Sequence, residues 1–199
     1  MTRTQHLNPR IRCHTDVFSN VRYLSLMEQS MEHLKYPVGR FAFPDHLSPS
    51  EISEAISVIA GFPSQLRDAY SQLTPELLEM PYRPEGWTKR QVIHHCADSH
   101  MNAVIRFKLA LTEDRPTITA YDQAKWAKMP DIQLNPEVSL SILEGIHLRW
   151  VTVLQSLPPE AWQREFLHPE FERSVRLDQA LAMYAWHCRH HLAHVMSRP

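Results

Sequence analysis

The sequence predicts an all-α protein, an antiparallel four-helix bundle with long connecting loops. Three observations point there. Only 4 glycines stand against 15 prolines, and hairpin-rich folds need positive-φ positions that glycine usually fills, so the balance favours long helices joined by proline-marked loops. Hydrophobic residues make up 43% and charged residues 22% of 199 positions, which suits one well-filled soluble core and one domain. Four stretches carry apolar residues at helical spacing, and no repeated strand pattern lies between them.

Residues 1–35 show no clear amphipathic period and are expected to be a flexible leader, outside a folded domain of residues 36–199. Met27 and Met31 lie inside that leader, so Met31 competes with Met1 as the natural start. Order should begin at Ser48-Pro49-Ser50-Glu51, where Ser48 caps, Pro49 takes the first helical position and Glu51 closes a capping box. Ile52, Ala55, Ile56 and Ile59 continue this first helix, and Pro63 should kink or interrupt it before Leu66, Tyr70 and Leu73 resume it. Thr74-Pro75-Glu76 then starts a short helical turn.

A second capping box, Thr88-Lys89-Arg90-Gln91, opens a helix running to about Leu111. Val92, Ile93, Cys96, Ala97, Val104 and Phe107 form its apolar face, while His95, Asp98, Ser99, Asn102 and Arg106 line up as a polar stripe, either solvated surface or functional. Residues 115–136 are a long connection with Tyr121, Asp122 and Trp126, of a length that often covers a site. Asn135-Pro136-Glu137 caps a third helix with Leu140, Leu143, Ile146, Trp150, Leu154 and Leu157 as its buried stripe, ended by Pro158-Pro159. An irregular or hairpin-like stretch leads to the final helix, from about Leu177 to Met196.

A formal net charge of −1 gives no electrostatic reason to expect nucleic acid or an anionic membrane as partner, and a small-molecule substrate fits better. No apolar run approaches the length of a membrane span. Cys13, Cys96 and Cys188 are odd in number and widely spaced, without a CxxC, so they read as reduced thiols of a cytoplasmic protein. Cys96 and Cys188 also fall on apolar faces, which marks them as buried and inert rather than ligands.

Chemistry concentrates in the histidines, because seven of the 13 lie in two short stretches. His187, His190, His191 and His194 follow i, i+3, i+4 and i+7 spacing, and at about 100° per residue His187 and His191 lie one turn apart on one face. Two convergent imidazoles can share zinc or nickel, and His95 from the second helix can complete three ligands with a fourth position open. By spacing alone His194 remains a rival to His191. Asp98 is the general-base candidate or histidine orienter. Arg106 and Arg149 can grip an anionic substrate group or sit in surface salt bridges.

The segment Tyr82-Arg83-Pro84-Glu85-Gly86-Trp87-Thr88 through His94-His95-Cys96-Ala97-Asp98-Ser99 resembles the signature of the DinB/YfiT-like family, in particular its YfiT branch of metal-dependent hydrolases. Tyr36-Pro37-Val38-Gly39, Arg106-Phe107, Tyr121-Asp122, His147 with Arg149-Trp150, His168-Pro169 and Trp186-His187 through His194 resemble further segments of that branch in the same order, over residues 36–196. The resemblance implies a four-helix bundle holding one divalent metal, nickel or zinc, on His95, His187 and His191. It thereby favours His191 over His194. It implies hydrolysis of a small molecule, with transfer of a low-molecular-weight thiol of the bacillithiol type as the alternative, a non-catalytic metal-binding or stress-response protein as a further one, and a homodimer as the assembly. Cys96 and Cys188 depart from the family pattern without removing a ligand.

Overall fold

A computed structural model of the protein describes residues 31–198, so the expected leader lies, but for residues 31–35, outside the described residues. Those five residues are helical. Four long helices follow: α1 (Pro49–Ser71), α2 (Lys89–Thr112), α3 (Glu137–Gln155) and α4 (Leu177–Met196). Both capping boxes form, with the Ser48 and Thr88 hydroxyls accepting from the N–H groups of Glu51 and Gln91; such a cap stabilises a helix by about 1 kcal/mol. Asn135 caps one position earlier than a standard N-cap, its Oδ1 accepting from Glu137 N–H at 2.9 Å.

The expected interruption at Pro63 is corrected. The helix runs unbroken from Pro49 to Ser71 with Pro63 inside it. Proline has no N–H, so the carbonyl four residues earlier, on the fully buried Ile59, receives no donor from its own helix. His147 of α3 supplies one, its Nδ1 lying 2.7 Å from that oxygen. A side chain from the neighbouring helix thus satisfies the group that would otherwise favour a break.

The four helices form a bundle in which α1 packs on α3 and α4, and α2 packs on the same two. Contacts fix their directions. Ile59 meets His147 and Tyr70 meets Asn135, so α1 and α3 are antiparallel; His95 meets His187, and Arg106 meets Tyr184, so α2 and α4 are antiparallel. His94 meets Ser139 while His100 meets His147, so α2 and α3 run parallel. Leu47 meets Asp178 while Glu54 meets Arg189, so α1 and α4 do too. Parallel neighbours that follow one another in sequence require a long connection, which residues 113–136 provide between α2 and α3. The connection before α4 holds a two-stranded antiparallel hairpin, β1 (Glu165–His168) and β2 (Arg173–Arg176), with Phe166 opposite Val175 in the core. Its turn ends in Glu172, whose φ of 49° is left-handed.

Trp150, Phe62, Phe107 and Phe166 are the largest fully buried side chains. Trp150 meets Phe107 and Tyr184 edge-on, with ring centres 5.3 and 5.4 Å apart, and so ties α3 to α2 and α4. Cys96 and Cys188 are buried free thiols, and burial raises the pKa of both, which keeps them protonated. No helix among the described residues is long and apolar enough to cross a membrane.

Candidate metal centre

The polar stripe of α2 faces inward. His95, Ser99 and Arg106 are buried, and Asp98 and Asn102 are partly so, because α4 runs antiparallel beside this face and covers it. His95 there meets His187 and His191 from successive turns of α4, with ring centres 5.4 and 4.9 Å from its own. Ligand atoms of the three lie within 4.8 Å of one another. His95 Nε2 and His187 Nε2 are 3.3 Å apart. Two metal–nitrogen bonds of about 2.0–2.1 Å at the tetrahedral angle span about 3.3–3.4 Å, so the separation suits a shared ion.

Protonation agrees with that geometry. Burial lowers the pKa of His95 to about 4, and burial followed by the neighbouring imidazoles holds His187 and His191 well below the usual histidine range. All three rings are therefore neutral at pH 7, the form that offers a lone pair.

A chain of hydrogen bonds decides which nitrogen of His187 offers it. The Ile59 carbonyl can only accept, so His147 Nδ1 carries the proton, and the neutral ring, its pKa lowered to about 4 by burial, presents Nε2 as an acceptor. His100 Nδ1 lies 2.7 Å from that nitrogen and must donate to it. The His100 pKa is held well below its usual value by burial, so its Nε2 is an acceptor in turn, 3.1 Å from His187 Nδ1. His187 therefore carries its proton on Nδ1, leaving Nε2 unprotonated and turned toward His95. An orienting hydrogen bond on the far nitrogen is the usual support of a metal-ligating histidine. His191 has its Nδ1 3.4 Å from His194 Nδ1.

A second convergence, His190, His191 and His194, shares His191 with the first. His194, the rival by spacing, stacks on Tyr82 with ring centres 3.8 Å apart, and His190 stacks on Trp186 at 4.3 Å. His94 bonds Ser139 Oγ and the Leu134 carbonyl at 2.7 and 3.1 Å, the packing role its angle on the helix suggests.

Two cavities reach the histidines. One, of about 430 Å³, is lined by His95, His187 and His191 with Trp87, Tyr82 and Gln123. Lys35 and Tyr36 also line it, so Lys35 of the expected leader belongs to the wall of the site. The other, of about 630 Å³, is lined by His187, Arg106, Ser99, Tyr121, Tyr184 and His168 among others. His187 and Gln123 border both, and the long connection before α3 covers the site as its length suggested.

Asp98 lines neither cavity, although its carboxyl is raised to about 6 by burial and by Asp131. Arg149 is exposed on α3 and lines neither cavity. Reading the sequence missed Gln123 and the Ile59–His147 contact; the only signal for the latter was a proline inside a helical pattern.

The sequence pattern of the DinB superfamily matches residues 61–195. A Bacillus mycoides protein named "Putative metal-dependent hydrolase" is 46% identical over 167 residues, covering 84% of this chain and 96% of its own length; a Bacillus cereus protein of the same name is 47% identical over the same shares. Among solved structures, YfiT from Bacillus subtilis, described as a probable metal-dependent hydrolase with an unusual four-helix bundle topology, superposes with a TM-score of 0.79 at 40% identity, over 82% of this chain and 94% of YfiT. The mycothiol-dependent maleylpyruvate isomerase superposes with a TM-score of 0.59 at 19% identity, over 72% of this chain and 60% of the isomerase, a likeness of fold.

Proposed function

This chain belongs to the DinB superfamily, and on that footing we propose that it is a metal-dependent hydrolase of a small molecule, using one divalent ion, zinc or nickel, on His95, His187 and His191 with a further position open. The observation that carries the reading is the convergence of three neutral imidazoles beside two cavities, with Nε2 of His95 and His187 3.3 Å apart. The names borne by relatives at 46–47% identity support the reaction class. When bound, such an ion polarises a carbonyl and acidifies water or a thiol.

The chain's own residues do the remaining work. His100 keeps the His187 proton on Nδ1 and so keeps Nε2 free. Trp87, with its ring centre 4.8 Å from His95, shields one side of the centre from solvent. Asp98, three residues from His95, lines neither cavity, but its carboxyl, raised to about 6, suits proton transfer near neutral pH, and we assign it that role.

The test presents metal-loaded protein with ester and amide panels, and separately with low-molecular-weight thiols plus electrophiles. Hydrolysis that stops on chelation and returns with zinc or nickel is the expected result. Thiol consumption without hydrolysis would replace it with a thiol S-transferase. Silence in both panels, with metal still bound, would leave a metal-binding protein without catalysis.

A further inference from the structure

Arg106 is 7% exposed, and no ion pair among the described residues includes it. Its Nη1 donates to the Tyr184 hydroxyl at 3.3 Å and its Nη2 to the Thr119 carbonyl at 3.1 Å, both neutral acceptors. Its Nε–H is buried and has no partner. An arginine in a protein stays charged. A charge removed from water without an opposite charge is costly, and the usual remedies are a counterion or solvent access.

The cavity shows where a counterion can stand. Arg106 and His187 both line the space of about 630 Å³. The carboxylates on that wall do not serve. Asp122 accepts from Lys125 N–H at 3.0 Å and pairs with Lys125 Nζ at 3.1 Å, while Glu170 is exposed and forms no ion pair with Arg106. The other polar groups facing the space, on Ser99, Tyr121, Tyr184 and His168, are neutral or weakly basic, and Phe171 and Met183 add apolar wall.

We infer that Arg106 anchors a carboxylate of the substrate, making the chain's ligand a small organic monoanion that places its acid at Arg106 and its reacting bond at the histidines. The identity of that reacting bond rests on the hydrolase reading; the acid subsite does not. A single guanidinium with free N–H groups matches the two oxygens of a carboxylate, which it can hold through paired charge-assisted bonds. One positive charge balances one carboxylate, whereas a phosphate monoester brings nearly two negative charges to the same place. The volume suits an aryl or medium alkyl chain, and the tyrosines and Phe171 suit the aryl. Substrate selection then follows from pairing: a neutral analogue leaves the guanidinium without a counterion.

The test titrates the full chain, stripped of metal, with 4-phenylbutanoate, 4-phenylbutanamide and phenyl phosphate. The acid should bind at least tenfold more tightly than the amide. Arg106→Gln should remove that preference, and Arg106→Lys should keep part of it. Equal binding of acid and amide by the wild-type chain overturns the subsite, and this comparison stands even if Arg106→Gln does not fold. Tighter binding of phenyl phosphate than of the acid overturns the carboxylate assignment. An acid preference that Arg106→Gln retains, with helical content intact, also overturns it. An acid preference found in a protein that hydrolyses no ester or amide after metal loading supports the subsite and removes the hydrolase reading alone. Hydrolysis of acid-bearing and neutral esters with equal kcat/KM does the reverse.

Discussion

Replacing His147 by phenylalanine cuts the hydrogen-bond chain at its origin while keeping a ring of similar size against Phe62 and Trp150, whose ring centres lie 5.8 Å away. Two buried groups lose their partners, the Ile59 carbonyl and His100 Nδ1–H. An unsatisfied buried polar group costs about 1–3 kcal/mol, so the variant should lose about 2–6 kcal/mol of stability. Adding Pro63→Ala returns an N–H to the Ile59 carbonyl from its own helix. It should stabilise the His147→Phe background by about 1–2 kcal/mol more than it does the wild type, where the carbonyl already has its donor. Metal affinity should respond differently. Without His147, His100 is free to hold its proton on either nitrogen, and His187 is no longer confined to the form that leaves Nε2 bare; loss of such an orienting partner weakens a metal site about 10- to 100-fold. Pro63→Ala should not recover that loss. Urea unfolding of metal-stripped protein followed by circular dichroism measures the first effect, and competition with a chromophoric chelator measures the second. Equal stabilisation by Pro63→Ala in both backgrounds would refute the carbonyl argument. Metal affinity within twofold of wild type in His147→Phe would refute the relay.

His95→Ala, His187→Ala and His191→Ala should each abolish stoichiometric metal in elemental analysis of untagged protein while His194→Ala retains it and the helical signal survives throughout; full retention in any of the first three removes that ligand. Metal-stripped protein should lose stability in acid. His147 has a folded pKa of about 4 against about 6.5 unfolded, so its contribution is intact above pH 6.5 and falls as pH drops toward 4, by about 2 kcal/mol at pH 5; the other buried imidazoles act in the same sense, and an unfolding midpoint in urea unchanged between pH 7 and 5 would contradict this. Asp98 has the opposite sign, because a carboxyl raised to about 6 makes the fold less stable as pH rises from 4 to 6. After discounting for its partial exposure, Asp98→Asn should stabilise the protein at pH 8 by about 1 kcal/mol, and should erase the acid limb near pH 6 in the pH profile of hydrolysis; an unchanged limb excludes Asp98 from proton transfer.

Local rules carried much of the fold. Ser48 and Thr88 caps depend on residues three apart, and the last helix depends on a periodic stripe from Leu181 to Val195, so both can be read from short windows. The histidine stripe of the last helix and the polar stripe that carries His95 were legible for the same reason, whereas spacing alone left His191 and His194 as rivals and only the family resemblance favoured His191. Helix direction was not legible, because it depends on how long connections route across the bundle. The burial of Arg106 was equally hidden, since a surface ion pair and a cavity anchor have the same sequence.

Direction and site depend on each other. The antiparallel α2 and α4 bring His95 to His187, while the parallel α2 and α3 bring His100 to His147 at a height where His100 also reaches His187. Reversing α3 alone would carry His147 away from both His100 and the Ile59 carbonyl. It would leave a buried imidazole, a buried ring N–H and a proline-exposed carbonyl without partners at once. This order of helix directions is therefore the one that satisfies these polar groups, and the same bonds that close the core of the bundle hold the His187 proton on Nδ1.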